Sequence, residues 1–84
     1  MKTYTGGDII IEEIKVGDIM YEIEYGYAIK VKVISLPILN NDQYTWQAKG
    51  VNTGKVIDYL VTVGYAHYAP KLYKEIVYQG VEEI

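Results

Sequence analysis

The chain has no cysteine, no arginine and no phenylalanine, and the first two absences each exclude a class of function. Without cysteine there is no disulfide framework, thiolate nucleophile or cysteine-based zinc site, and this absence fits a reducing compartment. Without arginine, bidentate recognition of phosphate or guanine is excluded, because all eight basic residues are lysine. The net charge of −3 also argues against a broad electrostatic contact with nucleic acid.

Long apolar runs are missing as well. No segment approaches the ~20 residues needed to span a bilayer, and the first three residues lead into no signal-peptide core. We therefore expect a soluble, cytoplasmic protein that makes no membrane contact. The length suits one domain, residues 1–84, and the apolar half of the composition is typical of a folded globular protein with a modest core.

The clearest structural signal is a β-hairpin that carries the only tryptophan. Residues 52–54, Asn-Thr-Gly, favour a turn, because Asn and Gly tolerate the backbone that tight turns need. Pairing Val51 with Gly54 places Trp46 opposite Tyr59, and a slip by one residue would mix the apolar and polar faces. The same register pairs Tyr44 with Val61, Ala48 with Ile57, Gln47 with Asp58 and Thr45 with Leu60.

A second hairpin is predicted between residues 18 and 33, where apolar and charged side chains alternate. A three-residue loop at 26–28 would set Tyr25 opposite Ile29 and would pair two glutamates with two lysines. Two segments stay open or weakly patterned. Residues 8–14 fit either a strand or a single helical turn, and residues 75–78 favour a short final strand before an acidic tail.

Several short strands separated by turns, without a convincing helix, predict an all-β protein. Residues 14–19 (IKVGDI) are similar to the opening of SH3-like barrels, and residues 46–49 with 53–55 resemble their tryptophan strand and distal hairpin. Residues 70–73 (PKLY) resemble the 3₁₀ turn before the last strand. The resemblance implies a small SH3-like barrel of five to six short antiparallel strands with one 3₁₀ turn. The strand at 27–36 departs from the family, which has a loop there.

In an SH3-like barrel the turn near residue 70 lies close to the tip of the first hairpin. Together they would form an aromatic-walled groove that holds an extended peptide, a base or a nucleotide by stacking. The alternative for each residue is ordinary packing, with tyrosines that fill the ends of the barrel. The predicted binding residues are Tyr25, Tyr27, Trp46, Tyr65, His67, Tyr68, Lys71 and Tyr73.

No catalytic residue, metal site or cofactor is predicted. His67 is the only histidine, and a lone histidine cannot supply a metal site. No serine, cysteine or paired acid forms an obvious triad with it, so general base catalysis has no partner groups. The positions of the glutamates in the sequence do not distinguish a catalytic pair of carboxylates from ordinary solvent-exposed residues.

These observations predict a non-enzymatic binding module whose ligand is a protein partner or a small anionic molecule. Met20, Val56, Leu60 and Val63 fall outside a single inward face, which predicts a homo-oligomer. A compact, tyrosine-rich, arginine-free chain fits an accessory or inhibitor protein of viral or phage type. The alternative is single-stranded nucleic-acid binding on a tyrosine platform, which the negative charge and the missing arginines disfavour.

Overall fold

Seven strands form the sheet of the computed structural model, which describes residues 8–62, 71–76 and 78–84. The elements are a 3₁₀ turn (Ile11–Glu13), β1 (Ile19–Glu24), β2 (Tyr27–Val33), β3 (Ile38–Asn40), β4 (Gln43–Gly50), β5 (Val56–Thr62), β6 (Leu72–Tyr73) and β7 (Glu82–Glu83). The predicted all-β class is confirmed. Apart from that single 3₁₀ turn, the described residues contain no helix. None of them therefore forms a helix that is long and apolar enough to cross a membrane.

The bounds of these elements can be compared with three predictions of local structure. The open segment 8–14 contains the 3₁₀ turn and not a strand. The second and last residues of the PKLY segment, by contrast, are not in a 3₁₀ turn, because Lys71 lies in a turn with positive φ and Tyr73 ends β6. The predicted final strand at 75–78 is wrong for its described residues, since Glu75, Ile76 and Tyr78 lie outside any strand.

Strand β4 is the centre of the sheet because it is paired along both edges. Strand β5 lies along one edge, and its register has Trp46 opposite Tyr59 and Gln47 opposite Asp58, which confirms the predicted hairpin. Strands β2 and β3 share the other edge. Four residues of the connection, 34–37, lie opposite only two residues of β4, 46 and 47. The connection therefore bulges, and β2 and β3 both pair with β4 on either side of it.

The β1–β2 hairpin has a different register from the predicted one. Its turn contains only Tyr25 and Gly26, with φ of 50° and 82°, as a two-residue type I′ turn requires. Glu22 therefore lies opposite Ile29, and Met20 lies opposite Val31. The pairs of glutamate with lysine that the sequence suggested do not form.

Two hydrophobic clusters lie on opposite faces of this hairpin. Apolar residues are therefore needed on both faces, and the alternation of apolar and charged side chains predicted the wrong register. The main cluster surrounds Trp46 and includes Met20 and Val31, so the prediction that Met20 lies outside the core is wrong. The second cluster contains Ile23, Ala28 and Tyr73. We call the face toward Trp46 the inner face and the opposite one the outer face. Val56 and Leu60 are exposed, as predicted, and Val63 lies outside the described residues.

The C-terminal strand β7 completes the cover over the second cluster. It runs parallel to β2, with Glu82 N donating to Gly26 O at 2.9 Å and Ile84 N to Ala28 O at 2.7 Å. Val81 packs against the second cluster as it enters the strand. The segment predicted as an acidic tail is thus part of the sheet.

The sheet is curled but open in the described pairings. Its order runs from β5 through β4, β2 and β1 to β6, and no hydrogen-bonded ladder joins β5 to β6 or β1. The described strands therefore do not close into a barrel. Between β5 on one side and β1 with β6 on the other lies a cleft that reaches the edge of the main cluster.

Candidate binding cleft

The cleft between β1, β5 and the turn before β6 has a volume of about 310 Å³. Side chains alternate along β1, so Met20, Glu22 and Glu24 project from the same inner face. Met20 is buried in the main cluster, whereas the two glutamates follow it into the cleft where the core ends. Asp58 of β5 borders the cleft only through its backbone side, because its carboxylate lies on the outer face, where it accepts a hydrogen bond from Gln47 Nε2 at 2.8 Å.

Lys71 is held against this acidic wall by backbone and side-chain bonds. Its carbonyl accepts a hydrogen bond from Ile23 N at 2.9 Å, and its ammonium forms an ion pair with Glu24. The hydrogen bond to Glu24 raises the pKa of the Lys71 ammonium, and the nearby Tyr25 and Glu22 shift it in the same direction. Glu24 and Lys71 thus neutralise each other, and the carboxyl group of Glu22 is left in the cleft without a basic partner among the described residues.

Two bulky residues at the mouth of the cleft have backbone conformations that such residues seldom adopt. Tyr25 has φ of 50° and is 90% exposed, and Lys71 has φ of 65°. Each left-handed conformation of this kind costs about 1–2 kcal/mol in a non-glycine residue. Neither side chain recovers this cost by burial, since both are exposed. Local strain is therefore concentrated where these residues meet.

Further uncompensated groups lie deeper in the cleft. The rings of Trp46 and Tyr59 are stacked with centroids 5.4 Å apart. In the described part of the chain, neither the indole N–H of Trp46 nor the hydroxyl of Tyr59 has a hydrogen-bond partner, although both atoms are buried. A buried polar group left unpaired costs about 1–3 kcal/mol. Burial raises the pKa of the Tyr59 phenol, and the negative charge of Glu22 raises it further.

The raised pKa of Tyr59 predicts a loss of stability in alkali. The unfolded chain releases the phenolic proton near pH 10, whereas the folded chain retains it, so the free energy of unfolding falls as the pH rises above about 10. In Tyr59→Phe this contribution is absent, and we expect a shallower decline. Urea denaturation of both proteins at a series of alkaline pH values measures the difference, and parallel declines would contradict it. At neutral pH the variant should be about as stable as the parent, because the buried hydroxyl makes no hydrogen bond of normal geometry and the substitution removes only its interaction with Glu22.

Comparison with known proteins assigns no family to this arrangement. No protein-family model, no curated protein and no solved structure matches the chain. The likeness to SH3-like barrels therefore stays a prediction. Among residues 8–62, 71–76 and 78–84, no group of three or more His, Asp or Glu side chains is placed to hold a metal ion.

The predicted binding residues fall into three sets. Tyr25, Tyr27 and Lys71 lie together at the tip of the first hairpin, because Tyr27 pairs with Glu24 and Glu24 contacts Lys71. Trp46 lies beneath the cleft and is only 2% exposed, so it contributes to the floor and not to a surface. Tyr73 lies on the opposite face of β1, buried in the second cluster with its ring edge-on to Tyr78. The others, Tyr65, His67 and Tyr68, lie outside the described residues.

Two residues of the cleft were absent from the predicted set. Glu22 had been assigned to an exposed pair with a lysine of β2, and the two-residue turn removes that pair. Tyr59 had been identified only as the cross-strand partner of Trp46, which it is. A signal for Tyr59 was present in the sequence, because a tyrosine beside the only tryptophan needs a partner for its hydroxyl when the pair is buried.

Proposed function

We propose that this chain is a non-enzymatic binding module that accepts a positively charged side chain of a partner protein in the cleft. The observation that supports it most is that several features that destabilise the fold, strained backbone and unpaired buried polar atoms, lie close together. The backbone strain of Tyr25 and Lys71 and the unpaired polar atoms of Trp46 and Tyr59 all lie in or beside this cleft. Folded chains retain such features mainly at functional sites.

The charge of the cleft selects the kind of ligand. Two carboxylates, those of Glu22 and Glu24, line it against the one ammonium of Lys71, so the balance is negative. A small anionic ligand, which the sequence had suggested, would face Glu22, and like charges repel at close range. A lysine or arginine side chain is attracted instead, and the exposed ring of Tyr25 offers it a cation–π contact.

Binding is also a better fit than catalysis for the groups in the cleft. Glu24 and Lys71 are engaged with each other, and Tyr59 is protonated at neutral pH, since an ordinary phenol titrates near pH 10 and burial raises its pKa further. None of these three is thereby prepared to move a proton near pH 7. The same groups are well placed to fix the position of a guest by charge and by stacking.

A titration with small peptide analogues tests the proposal. N-acetyl-arginine methylamide should shift backbone amide resonances of β1, β5 and residues 71–72, and it should change the emission of the only tryptophan. N-acetyl-glutamate methylamide is the matched probe of opposite charge and should do neither. In Glu22→Gln we expect binding of the arginine probe to weaken roughly 3- to 10-fold, in line with one partly exposed charge contact. Glu75→Gln is the control, since Glu75 is exposed outside the cleft. Equal binding of the two probes would contradict the proposal.

Replacement of Tyr25 separates stability from binding. Tyr25→Asn creates an Asn-Gly pair, which favours the type I′ turn, so we expect the free energy of unfolding to rise by about 1 kcal/mol. The same variant should bind the arginine probe more weakly, because the exposed ring is lost. Urea denaturation and the titration above measure the two effects.

Tyr25→Phe is the matched control, because it retains both the ring and the strained backbone. It should leave stability and binding close to those of the parent. A Tyr25→Asn protein that is less stable than the parent would show that the ring stabilises the fold, and the strain would then be no sign of function.

A further inference from the structure

A second surface lies on the outer face, at the end of the sheet away from the second cluster. Four adjacent strands place Ile19, Lys32, Lys49 and Val56 in one row, because each is the direct cross-strand partner of the next. Side chains paired in this way leave the sheet about 4.5–5.5 Å apart at Cβ. Lys32 and Lys49 are both exposed. Two ammonium groups are thus set side by side in the middle of the row.

This arrangement is unfavourable unless something negative lies between the two lysines. Like charges directly opposite each other destabilise a sheet. Their neighbours in the row are aliphatic, and in the part of the chain that the structure describes the one ion pair joins Lys71 to Glu24. Lys30 adds a third positive charge to the same face, two residues before Lys32. Asp58, the diagonal neighbour of Lys49 on this face, is hydrogen-bonded to Gln47 and offsets only part of this charge, so the surface is locally basic in a chain whose net charge is −3.

A hollow of about 510 Å³ adjoins the two lysines and is bounded by the turn between β4 and β5. The turn is fixed beside β2, because Val51 N donates to Lys30 O at 2.9 Å. Thr53 accepts a long hydrogen bond from Lys55 N through its hydroxyl oxygen, which leaves the hydroxyl proton free to be donated. Asn52 lines the same hollow. Ile34 and Val51 give the hollow an apolar wall.

We propose that Lys32 and Lys49, together with the turn at residues 51–54, bind the phosphate group of an organic phosphate. Lysine binds phosphate as a point charge and needs no bidentate geometry, so the site requires no arginine. The hydroxyl of Thr53 and the side-chain amide of Asn52 donate hydrogen bonds to the remaining phosphate oxygens. The apolar wall then contacts the organic part of the ligand. This site is distinct from the acidic cleft, which lies beyond β5 on the inner side.

Three probes that share the phosphate group identify its source. They are inorganic phosphate, adenosine monophosphate and a short thymidine oligonucleotide, each added to the intact protein at low ionic strength. We expect shifts of the amide resonances of Lys32, Lys49 and the turn with all three. Tightest binding of the monophosphate identifies a free nucleotide, and tightest binding of the oligonucleotide identifies a strand. In the second case affinity should fall with salt with a logarithmic slope of about −1.4 for two neutralised phosphates.

The double substitution Lys32→Gln with Lys49→Gln should weaken binding of the best probe at least about 10-fold, as expected when both charged contacts are lost. Its denaturation midpoint should not fall, because the substitution removes a repulsion. Lys74→Gln, which removes one positive charge, is the control for the effect per lysine, since Lys74 lines the depression beside the N-terminal turn and not the hollow. The proposal is overturned if no probe shifts these resonances, or if the double variant binds as the parent does. It is also overturned if a polyglutamate peptide binds the surface more tightly than every phosphate probe.

Discussion

Replacing Trp46 with alanine is expected to lower the free energy of unfolding by about 3–5 kcal/mol, the range for large aromatic side chains removed from a core. Trp46 is only 2% exposed and lies among the buried residues of the main cluster, so little can collapse into the space that it leaves. A chain of 84 residues has a total stability of roughly 4–13 kcal/mol. The variant should therefore be close to unfolding. Urea denaturation followed by circular dichroism measures the change without relying on tryptophan emission.

Two further substitutions serve as controls for the loss of stability in Trp46→Ala. Trp46→Phe keeps most of the ring volume and removes the unpaired indole N–H, so it should lose far less than the alanine variant. Val56→Ala removes an exposed side chain from the neighbouring strand and should change stability by less than about 0.5 kcal/mol. A loss below about 1.5 kcal/mol in Trp46→Ala would show that the ring is not packed in a core.

Deleting residues 81–84 is expected to lower the free energy of unfolding by roughly 2–3 kcal/mol. The deletion removes the backbone hydrogen bonds to Gly26 and Ala28 of the first hairpin, each contributing about 1 kcal/mol, and the packing of Val81 on the second cluster. Ala28 and Ile23 lose part of their cover at the same time. The loss is measured by urea denaturation against the full chain.

The matched control for the deletion keeps the backbone and changes only the charge. Glu82→Gln with Glu83→Gln leaves both hydrogen bonds in place, and both side chains are exposed, so stability should stay within about 0.5 kcal/mol of the parent. Unchanged stability after the deletion would show that the parallel strand contributes nothing to the fold.

The contrast between the two hairpins shows what the sequence could predict. In β4 and β5 the apolar residues gather on one face around Trp46, and the turn residues are common in turns, so the register was specified. In β1 and β2 both faces are covered, one by the main cluster and one by Tyr73 and Val81. Alternation alone then favours neither register. The turn also contains a tyrosine where asparagine or glycine is usual, so turn chemistry could not correct the error.

The rest of the fold depends on pairings between residues far apart in the chain. Strand β7 is only two glutamates long and pairs in parallel with β2, more than fifty residues away, and such a segment has the composition of a solvated tail. The cleft is a similar case. The proximity of Tyr25 and Lys71 was implied by the SH3-like resemblance, whereas the position of Glu22 depends on the register that alternation could not fix.

The bulge at residues 34–37 also bears on protein engineering. Four residues already occupy the space of two there, and Ile34 N and Ser35 N both donate to the same carbonyl of Gln47. Strands on either side are anchored independently to β4, so their alignment does not depend on the length of the segment between them. Extra residues placed at this point would extend outward from an existing loop. The position is thus a natural place to attach a label or to graft a foreign epitope.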